Sequence, residues 1–126
     1  MIFLDTSMLV DALCGEMRSE PVLRAVLERG ERTFIPSLVL YEWLRGPRLP
    51  RELQTQERLF SSSLAVPFGP DEAAEAARLY RTVRRPHGRE LDLSIAACAL
   101  VWEAELWTLN KSDFEDIPGL GVSRPR

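Results

Sequence analysis

Residues 1–13, MIFLDTSMLVDAL, read as a buried strand that runs straight into a helix. The first four are an apolar run with β-branched and aromatic members, and Thr6 and Ser7 offer hydroxyls able to cap a helix beginning near Met8. Asp5 stands at the join. Open α/β sheets bind their ligands in the crevice outside the carboxyl ends of the strands, so an acid placed there is a candidate cation ligand. Its neighbours Leu4, Met8, Leu9 and Val10 are apolar, which argues against a solvated surface charge.

Beyond this unit, strand and helix patterns alternate. A helix is predicted over 21–29, with Val22, Leu23, Val26 and Leu27 at helical spacing and Gly30 ending it. A brief strand at 33–36 stops at Pro36, and Ser37 then caps an apolar helix over 38–44 in which Glu42 is the only acid. After Gly46-Pro47 comes a more polar helix over 51–61. Residues 64–68 read as a third strand closed by Gly69-Pro70. The next helix starts with Asp71, Glu72 and Glu75 and finishes with Arg78, Arg81, Arg84 and Arg85, the order the helix dipole favours, until Pro86-His87-Gly88 breaks it. The most apolar helix, 90–103, is hydrophobic nearly all round and therefore central, with Asp92 in its first turn. A fourth strand at 106–109, a loop at 110–114 holding Asp113 and a short last strand at 120–122 complete the chain. Such alternation implies parallel pairing and right-handed crossovers, hence a three-layer α/β/α sandwich around a mostly parallel sheet of four to five strands.

The 126 residues are expected to form one domain, 1–126, and their 45% hydrophobic and 28% charged composition is that of an ordinary globular protein. No apolar run approaches the roughly 20 residues of a membrane span, and Asp5 and Asp11 interrupt any signal-peptide core, so a cytoplasmic location is expected. Cys14 and Cys98 form no CxxC pattern and read as reduced thiols in the interior. With His87 the only histidine, zinc clusters and Ser-His-Asp catalysis are excluded, leaving carboxylates as the catalytic material. A net charge of −3 argues against nucleic-acid binding through the overall field. A local patch remains, because Arg81, Arg84, Arg85 and Arg89 fall within nine residues that contain no acid. They read as a phosphate track or as a solvated helix end.

Four acids share one edge of this architecture: Asp5 ends the first strand, Glu42 lies just inside the helix after the second, and Asp113 follows the fourth. Asp92 joins them because its helix runs antiparallel to the strand it precedes. Gathered carboxylates repel, and a hard divalent cation relieves that repulsion. Oxygen-only ligands with room for water suit Mg²⁺ or Mn²⁺, which could activate water and steady a phosphoryl oxygen. Taken singly, each acid could instead cap a helix or pair with an arginine.

FLDTS at 3–7, Glu42, DLSIAA at 92–97 and TLNKSDF at 108–114 together resemble a PIN domain, and above all the VapC-type toxins. The resemblance covers almost the whole chain. It implies a Mg²⁺-dependent endoribonuclease cutting single-stranded RNA, the toxin of a toxin-antitoxin pair, inhibited by a VapB-like antitoxin and usually a homodimer. Carried onto this sequence, it implies Asp5, Glu42, Asp92 and Asp113 as the acidic quartet, Asp5 and Asp92 being the strongest metal ligands. Thr6 and Ser7 would orient Asp5. Asn110 falls where some members carry an acid and others an asparagine, so the last ligand could come from Asn110, Asp113 or both. The antitoxin would lay a segment across the pocket, presenting an arginine to the acids and apolar side chains to Trp or Leu within 43–53.

Two other readings compete. A phosphotransfer protein also carries an acid after its first strand, but the haloacid dehalogenase pattern wants a second Asp where this chain has Ser7, and a receiver wants paired acids near that strand's end. A catalytically inactive PIN binding module would have no need of the intact quartet.

Overall fold

The computed structural model of the chain describes residues 1–123. Ile2–Leu4 form β1, buried at every position. A strand covered on both faces needs a continuous apolar run rather than alternation, and Ile-Phe-Leu supplies it. β1 pairs in parallel on one side with β2, Thr33–Phe34, and on the other with β3, Glu105–Trp107. β3 in turn pairs in parallel with β4, Val122–Ser123, giving a four-stranded sheet in the order β2-β1-β3-β4. The chain leaves β1 toward β2 and leaves β3 toward β4, in opposite directions. The carboxyl ends of β1 and β3 therefore flank the crevice where such sheets bind ligands.

Six helices cover the sheet: α1, Thr6–Leu13; α2, Glu20–Glu28; α3, Ser37–Arg45; α4, Pro50–Leu59; α5, Pro70–Thr82; and α6, Glu90–Val101. In α6, five consecutive residues from Ile95 to Ala99 are fully buried, more than one helical face can supply, so the helix is enclosed on all sides as its composition predicts. It touches α3, α5 and β3. Glu72 fastens α5 to it: one carboxylate oxygen caps the Gly69 N–H at 3.0 Å and the other accepts from Trp102 Nε1 at 3.1 Å. Both cysteines are free thiols, and burial, followed by the nearby Glu72 charge, pushes Cys98 up to about 12.

Several local expectations change. Residues 64–68 do not form a strand. They make one parallel bridge, Pro36 to Val66, after a 3-10 turn at Ser62–Leu64. The ladder consists of the bonds from Val66 N–H to Ile35 and from Ser37 N–H to Val66, and it ends there because Ser37 already opens α3 while the 3-10 turn occupies the residues before Val66. α1 begins at Thr6 with Asp5 in the cap position, and α3 begins at Ser37 itself after Pro36; no hydroxyl caps either helix. α5 stops at Thr82, because the ring of Pro86 would collide with the Thr82 carbonyl in a continued helix. Arg84 and Arg85 thus lie beyond it. The last strand falls at Val122–Ser123 rather than 120–122. Among the described residues, no helix is long and apolar enough to cross a membrane.

Candidate active site

Asp5 belongs to two elements at once. Its N–H continues the sheet by donating to the Trp107 carbonyl at 2.9 Å, while its own carbonyl accepts the Met8 and Leu9 N–H groups that open α1. Its carboxylate does not cap the helix. Instead Oδ2 accepts the Thr108 hydroxyl at 2.8 Å and the Ser7 hydroxyl at 3.1 Å, and Oδ1 has no protein donor among the described residues. The residue is only 6% exposed, so these donors replace water the carboxylate has lost. Each hydroxyl has one proton, and with both directed at Asp5 the 3.2 Å approach of Ser7 to Thr108 is a contact without a proton of its own. The same two oxygens accept backbone N–H groups, Ser7 from Leu109 and Thr108 from Asn110, each at 3.0 Å. The exit of β3 is thereby tied to the entry of α1.

Glu42, on α3, accepts the Thr6 hydroxyl at 2.6 Å on Oε1, and its Oε2 lies 3.6 Å from Arg45. Asp92, half-buried in the first turn of α6, receives no side-chain hydrogen bond among the described residues. Its carboxyl is pushed up to about 6, first by burial and then by the charges of Asp5, Asp113 and Glu42, with Arg89 opposing. Asp5, Asp113 and Glu42 are thus near enough to Asp92 for their charges to act on it. Asp113 is exposed on the 3-10 turn Lys111–Asp113, and Asn110 is exposed just before it. The four acids thus converge from four elements.

Three sequence expectations need amendment. Thr6 holds Glu42 rather than Asp5, since the start of α1 turns its side chain toward α3. Arg89 is no free phosphate ligand: its guanidinium grips Asp116 at 2.7 and 2.8 Å and the Asp113 carbonyl at 2.9 Å. Thr108, the principal donor to Asp5, was not singled out at all, although a hydroxyl following the strand beside β1 is the available signal. Arg81, Arg84 and Arg85 are exposed and have no ion-pair partner among the described residues.

Residues 2–120 match the family described as PIN domain. The chain belongs to the PIN domain family. It is similar to Ribonuclease VapC19 of Mycobacterium tuberculosis, 34% identical over 122 residues that cover 95% of this chain and 97% of the relative. The fold is shared with VapBC2 from Rickettsia felis, solved bound to a DNA fragment from its promoter, at TM-score 0.75 and 22% identity, covering 98% of each chain. DNA-bound VapBC from Salmonella typhimurium is alike at TM-score 0.75 and 24% identity, over 98% of this chain and 96% of that one.

PIN-domain ribonucleases use a divalent metal, and the donors here fit one. They are all oxygen, two of them carboxylates without a complete set of protein donors, and their mutual repulsion is of the kind a cation relieves. Among the described residues, no three acidic, histidine or cysteine side chains stand close enough together to hold a metal ion by themselves. An open acidic edge suits a hard divalent cation that keeps several waters and takes one or two carboxylates.

Two outcomes follow for the PIN domain itself. Thr108→Val should cost about 1–3 kcal/mol in urea denaturation, because it leaves the Asn110 N–H and Asp5 Oδ2 short of a partner, and Thr108→Ser should recover most of the loss. Asp92 is expected to make metal-free stability fall with rising pH. The folded chain holds its proton up to about pH 6, whereas the unfolded carboxyl releases it near 3.8, so between these values the folded state binds more protons. Relative to Asp92→Asn, the parent should therefore weaken across that interval and be the less stable of the two at pH 7, as urea titrations in EDTA at several pH values would register.

Proposed function

We propose that this chain is an endoribonuclease dependent on Mg²⁺ or Mn²⁺ that cleaves single-stranded RNA, and the toxin of a VapBC-like pair acting in the cytoplasm as one domain, 1–126. The carrying observation is that a half-buried Asp92 at the amino end of α6 lies near enough to Asp5, Asp113 and Glu42 for their charges to add to the effect of burial in pushing it up to about 6. The similarity to a protein named as a ribonuclease over nearly its full length supports the substrate class.

In this reading Asp5 and Asp92 are the principal cation ligands. Thr108 and Ser7 fix Asp5 Oδ2 and leave Oδ1 for the metal, while Thr6 fixes Glu42. Asp113, and Asn110 beside it, complete the set from the exposed turn Lys111–Asp113. When bound, the cation supplies charge neutralisation, activation of water and stabilisation of phosphoryl oxygen. Below about pH 6 the metal-free Asp92 carries a proton and is a poorer ligand, so metal affinity rises with pH. Arg81, Arg84 and Arg85 form the phosphate track, leading along the segment that enters α6.

The partners follow from the same reading. The solved VapBC structures support a VapB-like antitoxin. Its apolar anchors would meet Leu44 and Leu49, which are 53% and 50% exposed. Trp43 is fully buried and out of a partner's reach. A homodimer is also expected.

Labelled single-stranded RNA incubated with the purified chain should be cut only with Mg²⁺ or Mn²⁺, yielding 5′-phosphate ends, and Asp92→Asn should abolish the cut. Full activity in excess EDTA, or turnover of an acyl phosphate in place of RNA, would overturn the assignment. Replacing Arg84 and Arg85 with Ala should weaken RNA binding and reduce the slope of log affinity against log salt by about 0.7 for each lost contact, a change read by fluorescence anisotropy from low to moderate salt.

A further inference from the structure

Arg89 occupies the cap position of α6, three residues before Asp92, and its side chain spans to a segment far along the chain. One guanidinium nitrogen donates to Asp116 Oδ2 at 2.8 Å; the other donates both to Asp116 Oδ1 at 2.7 Å and to the Asp113 carbonyl at 2.9 Å. Among the described residues, these are the hydrogen bonds that tie 111–117 to a separate element; the others there are local to the turn. The arginine side chain is 23% exposed, whereas those of the other ion-paired arginines are between 49% and 74% exposed. A two-pronged, partly buried pair of this kind fixes direction as well as distance.

We propose that Arg89 is a positioning residue whose fork locks the Lys111–Asp113 turn to the amino end of α6 and so fixes where the Asp113 carboxylate stands relative to Asp92. The inference rests on the metal-site reading above. It also assigns a role to Asp116, which anchors the fork from outside the acid cluster. Arg89 has two effects on a cation that oppose each other. As a positive charge beside Asp92 and Asp113 it repels the metal; as a fork it holds a ligand in place. The proposal is that placement outweighs repulsion.

That opposition makes the test one of sign. Mn²⁺ alone is titrated into the full chain and its Arg89→Gln, Arg89→Lys and Asp116→Asn variants, with free Mn²⁺ read by electron paramagnetic resonance. Hydrogen exchange is followed in the metal-free proteins. Arg89→Gln should bind Mn²⁺ about tenfold more weakly even though its site has become more negative. Arg89→Lys and Asp116→Asn should lose a similar amount, and the Lys/Asn double variant no more than either alone. Amides in 111–117 should exchange at least tenfold faster while those of β1 and β3 do not change, which excludes general unfolding. Mn²⁺ binding by Arg89→Gln equal to or tighter than the parent's would overturn the positioning role. A parent that binds no Mn²⁺ would instead end the metal-site reading, and exchange then decides the clamp alone: protection lost at 111–117 supports it, and protection unchanged overturns it.

Discussion

The carboxylate of a buried aspartate at the end of a central strand, Asp5, is the constraint around which this structure is arranged. Removed from water, Asp5 needs donors, and they come from both sides of the crevice: Ser7 from the first turn of α1 and Thr108 from the exit of β3. Those donors set the junction between the strands and the helix. They also hold one oxygen while leaving the other unclaimed. Because Asp5 is held in place, its charge is felt by the acid that α6 brings opposite it.

The position of that acid is in turn a property of the core. α6 has no solvent face over Ile95 to Ala99, so it cannot roll or slide without opening voids among α3, α5 and β3. Asp92 sits at the end of this packed rod, where burial first and the neighbouring acids second raise its proton affinity. Asp113 is different, since it stands on an exposed turn anchored by the buried Phe114 and Ile117 and by the Arg89 fork. The site thus combines Asp92, fixed by packing, with Asp5, fixed by hydroxyl donors, and Asp113, held by a polar clamp.

Where a signal was local, the sequence carried it. The apolar run before Asp5 and the all-round apolarity of α6 followed from neighbouring residues, and the direction of each element brought Asp5, Glu42 and Asp92 to one edge. What escaped depended on distant partners. Thr108 reaches Asp5 across 103 positions, and a threonine after a strand has no local mark of such a role. Arg89 looked like part of an acid-free basic cluster because Asp116 lies 27 positions on. The strand expected at 64–68 shrank to one bridge because the chain turns into α3 at Ser37 on one side and leaves a 3-10 turn at Leu64 on the other, which allows a single pairing at Val66.

The sheet order carries a consequence for how the molecule is made. β1 is synthesised well before β3, yet its pairing with β3 joins Ile2 to Glu105 and Leu4 to Trp107. A nascent chain that has not yet delivered β3 has already produced Asp5, Glu42 and Asp92, but it has no Thr108 to satisfy the first of them and no strand to cover the exposed edge of β1. Contacts this distant close late. The acids therefore come together only once β3 has been made, in the step that completes the sheet, and a product truncated before β3 would hold most of the reactive groups without the means to assemble them.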